Sequence, residues 1–114
     1  MNYSEMTDAE LDRLSADICG FVWKDKLHVD NTNGEAVVDG SEWHPAHLSS
    51  NQAERHLLPK FSPLGIAISV NIWARRVEMY GQKLGGETLY TYWSDDKINR
   101  AKVIAALTAW EKLK

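Results

Sequence analysis

The sequence predicts a small α+β fold, with a small antiparallel sheet of three to five strands packed against three helices in the order α-β(hairpin)-α-β-β-β-α. Three observations predict it. A well-capped amphipathic segment opens the chain, apolar residues alternate with period two over Ile66–Ile72, and an aliphatic, alanine-rich stretch of helical spacing closes it. The 114 residues, 44% hydrophobic and 25% charged, fit one domain over 1–114 with a core large enough to stand without disulfides.

The first helix is expected near residues 8–19. Thr7 is a good N-cap, Glu10 completes a capping box, and Met6 can staple to Leu11. Leu11, Leu14 and Ile18 form its apolar stripe, and Gly20 stops it. Phe21-Val22-Trp23 reads as a short strand. Leu27–Val29 and Glu35–Val38 flank Asn31-Thr32-Asn33-Gly34 as a hairpin. Gly40-Ser41 opens a loop carrying Trp43-His44-Pro45. A second helix over residues 50–58 is expected to begin at Ser49, with Gln52 as its capping-box partner, and to end at Pro59.

In the C-terminal half, Ile66, Ile68, Val70 and Ile72 give one strand a buried face. Val77 and Met79 continue the pattern in the opposite phase, which requires a turn or bulge near Ala74–Arg76. A turn is favoured, although no Gly or Asn marks it. Thr88–Trp93 makes the last strand. Ser94 or Asp95 then caps a helix that runs to about Leu113. That helix carries two apolar stripes, Ile98, Ala101, Ile104, Ala105 and Thr108 beside Val103, Leu107 and Trp110. Such an arc implies packing on two sides or a seam for a partner, a homodimer included.

Composition narrows the function classes. Thirteen basic residues against sixteen acidic ones give a net charge of -3, which disfavours duplex DNA as a ligand. No apolar run reaches the roughly 18 residues of a membrane span. The lone Cys19 permits no internal disulfide, and its place at a helix C-terminus marks it as a core residue rather than a nucleophile. His44, His47 and His56 follow no recognised metal-ligand spacing, and the carboxylates of Asp8, Glu10, Asp12, Asp95 and Asp96 lie where helix starts favour them. The glycines of Gly81–Gly86 match no phosphate-binding loop. The expectation is a protein without catalytic residues, cofactor or metal.

The aromatic residues carry the functional signal. The strand phases put Trp73, Tyr80, Tyr90 and Tyr92 opposite the aliphatic face, with Arg75 and Arg76 between them in sequence. Such a face suits a protein interface or a stacked nucleotide, unless another element covers it as a second core. Trp73, Arg75, Arg76, Tyr80, Tyr90 and Tyr92, with Val103, Leu107 and Trp110, are the candidate partner-binding residues.

The opening Met1-Asn2-Tyr3-Ser4-Glu5-Met6-Thr7-Asp8-Ala9-Glu10-Leu11 resembles the start of NinX-type phage proteins. The wider order is similar to the phage ABA-sandwich group of small accessory proteins. Trp43-His44-Pro45, Ser49-Ser50 with Ala53, and Ala101 through Ala105-Ala106-Leu107 occupy the matching places. The chain departs from that pattern at Glu54-Arg55, where the group carries an aromatic residue, and over 21–40, which has no counterpart. The resemblance implies a phage- or prophage-encoded protein working in the cytoplasm of a bacterial host. It implies no catalytic site. The expected activity is binding of a bacterial host protein, in the manner of antagonists of defence systems such as CRISPR-Cas. The alternative is sequestration of a nucleotide signal on the aromatic and Arg face.

Overall fold

The computed structural model describes residues 2–20, 22–24, 37–39 and 43–113. Helix α1 spans Asp8–Ile18. Thr7 caps it, its Oγ1 accepting from the Glu10 amide at 3.2 Å, and Gly20 adopts the left-handed φ of +70° just past its end. Its buried side is not the expected stripe. Leu11 and Ile18 are buried, but Leu14 is 38% exposed, and Asp12, Ser15 and Ala16 lie inside instead.

Strands β1 (Val22–Lys24) and β2 (Val37–Asp39) pair in parallel, with Val22 opposite Val37. The Leu27–Val29 arm and the Asn31–Gly34 turn of the expected hairpin lie outside the described residues. The β2 segment that overlaps the other arm has β1 as its neighbour. Parallel pairing needs a connection of a dozen or so residues, and the 25–36 interval supplies that length.

The second helix is short and wound as a π-helix over Ala53–Leu57, followed by 3-10 turns at Leu58–Lys60 and Ser62–Leu64. The expected capping box at Ser49 does not form. The Ser49 amide and hydroxyl meet His47 Nδ1, at 3.2 and 2.9 Å. The Gln52 side-chain Oε1 accepts from the His44 amide at 2.7 Å, and Ser50 Oγ accepts from the Gln52 backbone amide at 3.1 Å. Pro59 sits in the first turn of the following 3-10 segment, where a missing N–H costs nothing.

The main sheet runs β3 (Ala67–Asn71), β4 (Arg76–Tyr80) and β5 (Leu89–Tyr92), all antiparallel in that order. The phase slip is a turn over residues 72–75. Asn71 marks it after all: its Oδ1 accepts from the Ala74 amide at 2.9 Å, and Arg75 takes a positive φ of 52°. Val70 opposite Val77 and Ile68 opposite Met79 share the inner face.

Helix α2 spans Ile98–Lys112. Neither Ser94 nor Asp95 caps it by side chain. Its N-cap is Lys97, whose amide donates to the Ser94 carbonyl at 3.1 Å in the preceding turn. α2 packs against α1, β4, β5 and the π-helical segment together. That explains its wide apolar arc, because Ala101, Ala105, Ala106 and Ala109 are all enclosed. Phe61, Leu57, Leu11, Val77, Met79 and Val103 centre the core. Each large side chain there contributes about 1.5–3 kcal/mol relative to exposure.

Polar ties hold the non-helical segments to this frame. Asn99 Nδ2 donates to the carbonyls of His47, Leu48 and Ser50, at 2.9, 3.2 and 2.6 Å. Arg100 reaches Asp8 Oδ1 at 2.5 Å and the Ser4 carbonyl at 3.1 Å. Lys102, 4% exposed, pairs with the Glu54 carboxylate, which offsets the cost of burying an ammonium. Among the described residues no helix is long and apolar enough to cross a membrane.

Candidate functional site: the outer face of the sheet

Alternation along β4 sends Val77 and Met79 inward and Arg76, Glu78 and Tyr80 outward. On β5 the outward residues are Tyr90 and Tyr92, with Tyr90 opposite Glu78 and Tyr92 opposite Arg76. On β3 they are the small Ala67, Ser69 and Asn71. Tyr80, Tyr90 and Tyr92 are 51%, 50% and 64% exposed, so among the described residues no other element buries them as a second core.

Arg76 organises this face. Its Nε donates to Glu78 Oε1 at 2.6 Å, and its guanidinium carbon stands 4.9 Å from the centroid of the Tyr90 ring. The Tyr90 and Tyr92 rings stack at 6.4 Å with 28° between planes. The Glu78 hydrogen bond, followed by that of Tyr92, raises the Arg76 pKa above its ordinary value. The guanidinium is therefore fixed in charge and in position, although Glu78 offsets its charge locally.

At the end of the β3–β4 hairpin, Trp73 is 99% exposed and Ile72 62% exposed, beside the exposed Arg75. Two large apolar side chains at a turn tip contribute nothing to the core. Tight turns usually carry small or polar residues there, which makes the tip the candidate for a binding anchor.

The other candidates sit elsewhere. Val103 and Leu107 are 0% and 4% exposed, so the second stripe of α2 is core and offers no seam to a partner. Trp110 is half-buried edge-on to Phe61, 6.4 Å between centroids, and its Nε1 is enclosed without a partner among the described residues. His44 and His47 meet edge to face at 5.8 Å, whereas the His56 ring lies 6.0 Å from that of Trp43. Among the described residues no three His, Cys, Asp or Glu side chains group as a metal site. Cys19 is buried, its thiol donating to the His56 carbonyl at 3.3 Å, and burial pushes its pKa up to about 11.

Comparison of the chain with protein-family models, with curated proteins and with solved structures finds no match.

Sequence reasoning missed one group. Asp12, on the buried side of α1, accepts from the Ala46 amide at 2.9 Å, and the Trp43 indole donates to the Asp12 carbonyl at 2.9 Å and to Ser15 Oγ at 3.1 Å. This node docks the Trp43-His44-Pro45 loop. Desolvation raises the Asp12 pKa to about 6. Asp8 adds to the rise, and the Ala46 amide, His44 and His47 oppose it. The available signal was Asp12 one residue after Leu11, on the same side of the helix as Ser15 and Ala16. At first sight that position reads as dipole compensation.

Proposed function

We propose that this chain is a non-enzymatic accessory protein of phage or prophage origin, akin to the NinX-like ABA-sandwich group, that binds a bacterial host protein through the outer face of its sheet. The observation that carries the binding reading is the exposure of Trp73, at 99%, at the tip of a sheet whose outer face carries three tyrosines exposed by half or more. Trp and Tyr dominate binding energy at protein interfaces, because their burial yields large area for little conformational entropy. Ile72 at the tip favours a protein pocket over a nucleic acid, since an aliphatic side chain gives a base nothing to stack on. The phage assignment, the bacterial cytoplasm and a role against a defence system such as CRISPR-Cas rest on the resemblance of the first eleven residues and the later Trp-His-Pro and alanine-rich segments.

The test compares tagged wild type with Trp73→Ala and Tyr92→Ala in a bacterial lysate, reading retained proteins by mass spectrometry. One host protein should be retained by wild type and lost from both variants, with melting temperatures unchanged because both side chains lie outside the core. Equal retention by wild type and variants, or none by either, would discard the reading.

A second reading is favoured by one observation, the placement of Arg76 over Tyr90 beside the Tyr90–Tyr92 stack. That geometry suits a nucleotide signal, with the base against the rings. A thermal-shift screen against cyclic and linear nucleotides checks it. A ligand at 100 times its dissociation constant adds about 2.7 kcal/mol, which a domain of this size reports clearly. A flat screen removes it.

A further inference from the structure

The sheet is wider than the helix beneath it. α2 packs across β4 and β5, and β3 projects past that layer with β4 as its sole neighbour in the sheet of described residues. The inner face of β3 is accordingly incomplete. Ile68 reaches the rim of the core, but Val70 is only half-buried. Among the described residues, the β3 edge carries no charge, proline or bulge to protect it. Ile66-Ala67-Ile68-Ser69-Val70-Asn71-Ile72 contains no charge and no proline, and its register against β4 runs unbroken from Ala67 to Asn71, with no bulge.

We infer that β3 is a dimerisation edge, and that its occupant is β3 of a second copy of this chain, paired antiparallel about a two-fold axis at Ser69. The strand is self-complementary in that register. Directly opposite residues of an antiparallel pair share a face. Centring on Ser69 therefore places Ile68 opposite Val70 of the other copy on the inner face, and the reverse. On the outer face it places Ala67 opposite Asn71 and Ser69 opposite Ser69. The half-exposed aliphatics meet one another, and the small outer residues let the two strands approach without obstruction. The opposite edge of the sheet is a poorer partner, because α2 lies against β5 and bulky Tyr90 and Tyr92 project from it.

The result is a continuous six-stranded sheet with two aromatic faces, one from each copy. Pairing through one short strand buries less than the roughly 1,200 Å² typical of stable complexes, so the association is of the weak, reversible kind. Two linked binding faces would raise avidity for a repeated partner without any new contact. The dimer does not depend on the proposed partner, and each stands or falls alone.

Light scattering on the full chain over a micromolar concentration series should show the mass rising from monomer to dimer. Val70→Lys places a charge on the inner side of the edge and should stay monomeric at every concentration, with an unchanged circular dichroism spectrum. Ser69→Cys should form a disulfide-linked dimer under mild oxidation much faster than Tyr80→Cys, which lies on the outer face of the central strand. That trap decides the matter if Val70→Lys fails to fold. A wild type that remains monomeric throughout would overturn the inference. So would a dimer that survives Val70→Lys, or equal trapping rates for the two cysteine variants.

Discussion

The Asp12 carboxylate holds the Ala46 amide at 2.9 Å, so a charged side chain of α1 fixes the backbone of a loop 34 residues away. The carboxylate does so from inside the protein, and burial raises its pKa from 3.8 to about 6. The folded state then holds the Asp12 proton more tightly than the unfolded chain does. The stability from that difference is complete below about pH 4 and is lost as pH rises through about 6. Asp12→Asn keeps the acceptor for Ala46 and removes the charge. Relative to wild type, the variant should gain stability between about pH 4 and pH 7, read from urea midpoints at each pH. A constant difference across that range would mean that Asp12 titrates alike folded and unfolded.

Trp43 closes the same node from the loop side. Its ring is 3% exposed, and its Nε1 serves both the Asp12 carbonyl and Ser15 Oγ. Trp43→Phe keeps most of the ring and strips the donor, so it should cost about 1–3 kcal/mol. Trp43→Ala adds a cavity and should cost about 3–5 kcal/mol. Equilibrium unfolding separates the two, and equal losses would assign the whole role of Trp43 to its indole donor.

Asn99 is the counterpart on α2. It is 6% exposed and its amide faces three carbonyls of the 47–50 loop. Asn99→Ala should destabilise by about 1–3 kcal/mol. It should also raise amide exchange in residues 44–52 more than in β4. Uniform exchange across the chain would show that the clamp is not local.

Gly81 has an ordinary extended backbone, yet an added Cβ would stand 2.7 Å from the Gly65 carbonyl oxygen. The obstacle is backbone, which cannot swing aside as a side chain would. Gly81→Ala should therefore lose about 1–3 kcal/mol by overpacking, measured in urea. Gly85→Ala meets open space and should show only the smaller strain of its left-handed φ of +79°. A reversed order of the two losses would contradict the close approach.

Much of the frame was legible along the chain. Thr7 and Gly20 bound α1 through their own backbone and side-chain preferences, and the change of phase between Ile72 and Val77 demanded the turn. The outward placement of Tyr80, Tyr90 and Tyr92 followed from strand alternation, because neighbouring side chains must point to opposite faces. These features depend on interactions within a few residues, which the sequence by itself determines.

Other features were decided only by the tertiary structure. Whether Val103 and Leu107 formed a seam or a core turned on how many elements surround α2, and periodicity does not count neighbours. The same holds for Asp12, Asn99 and Lys102. Their polarity favours the surface, and distant partners such as Ala46, Ser50 and Glu54 hold them inside. Ser49 and Gln52 read locally as a helix cap, but His47 and the His44 amide compete for them once the loop docks. Those hydrogen bonds need chain segments that only folding brings together, and so does the exposure of Trp73, which depends on nothing coming to cover it.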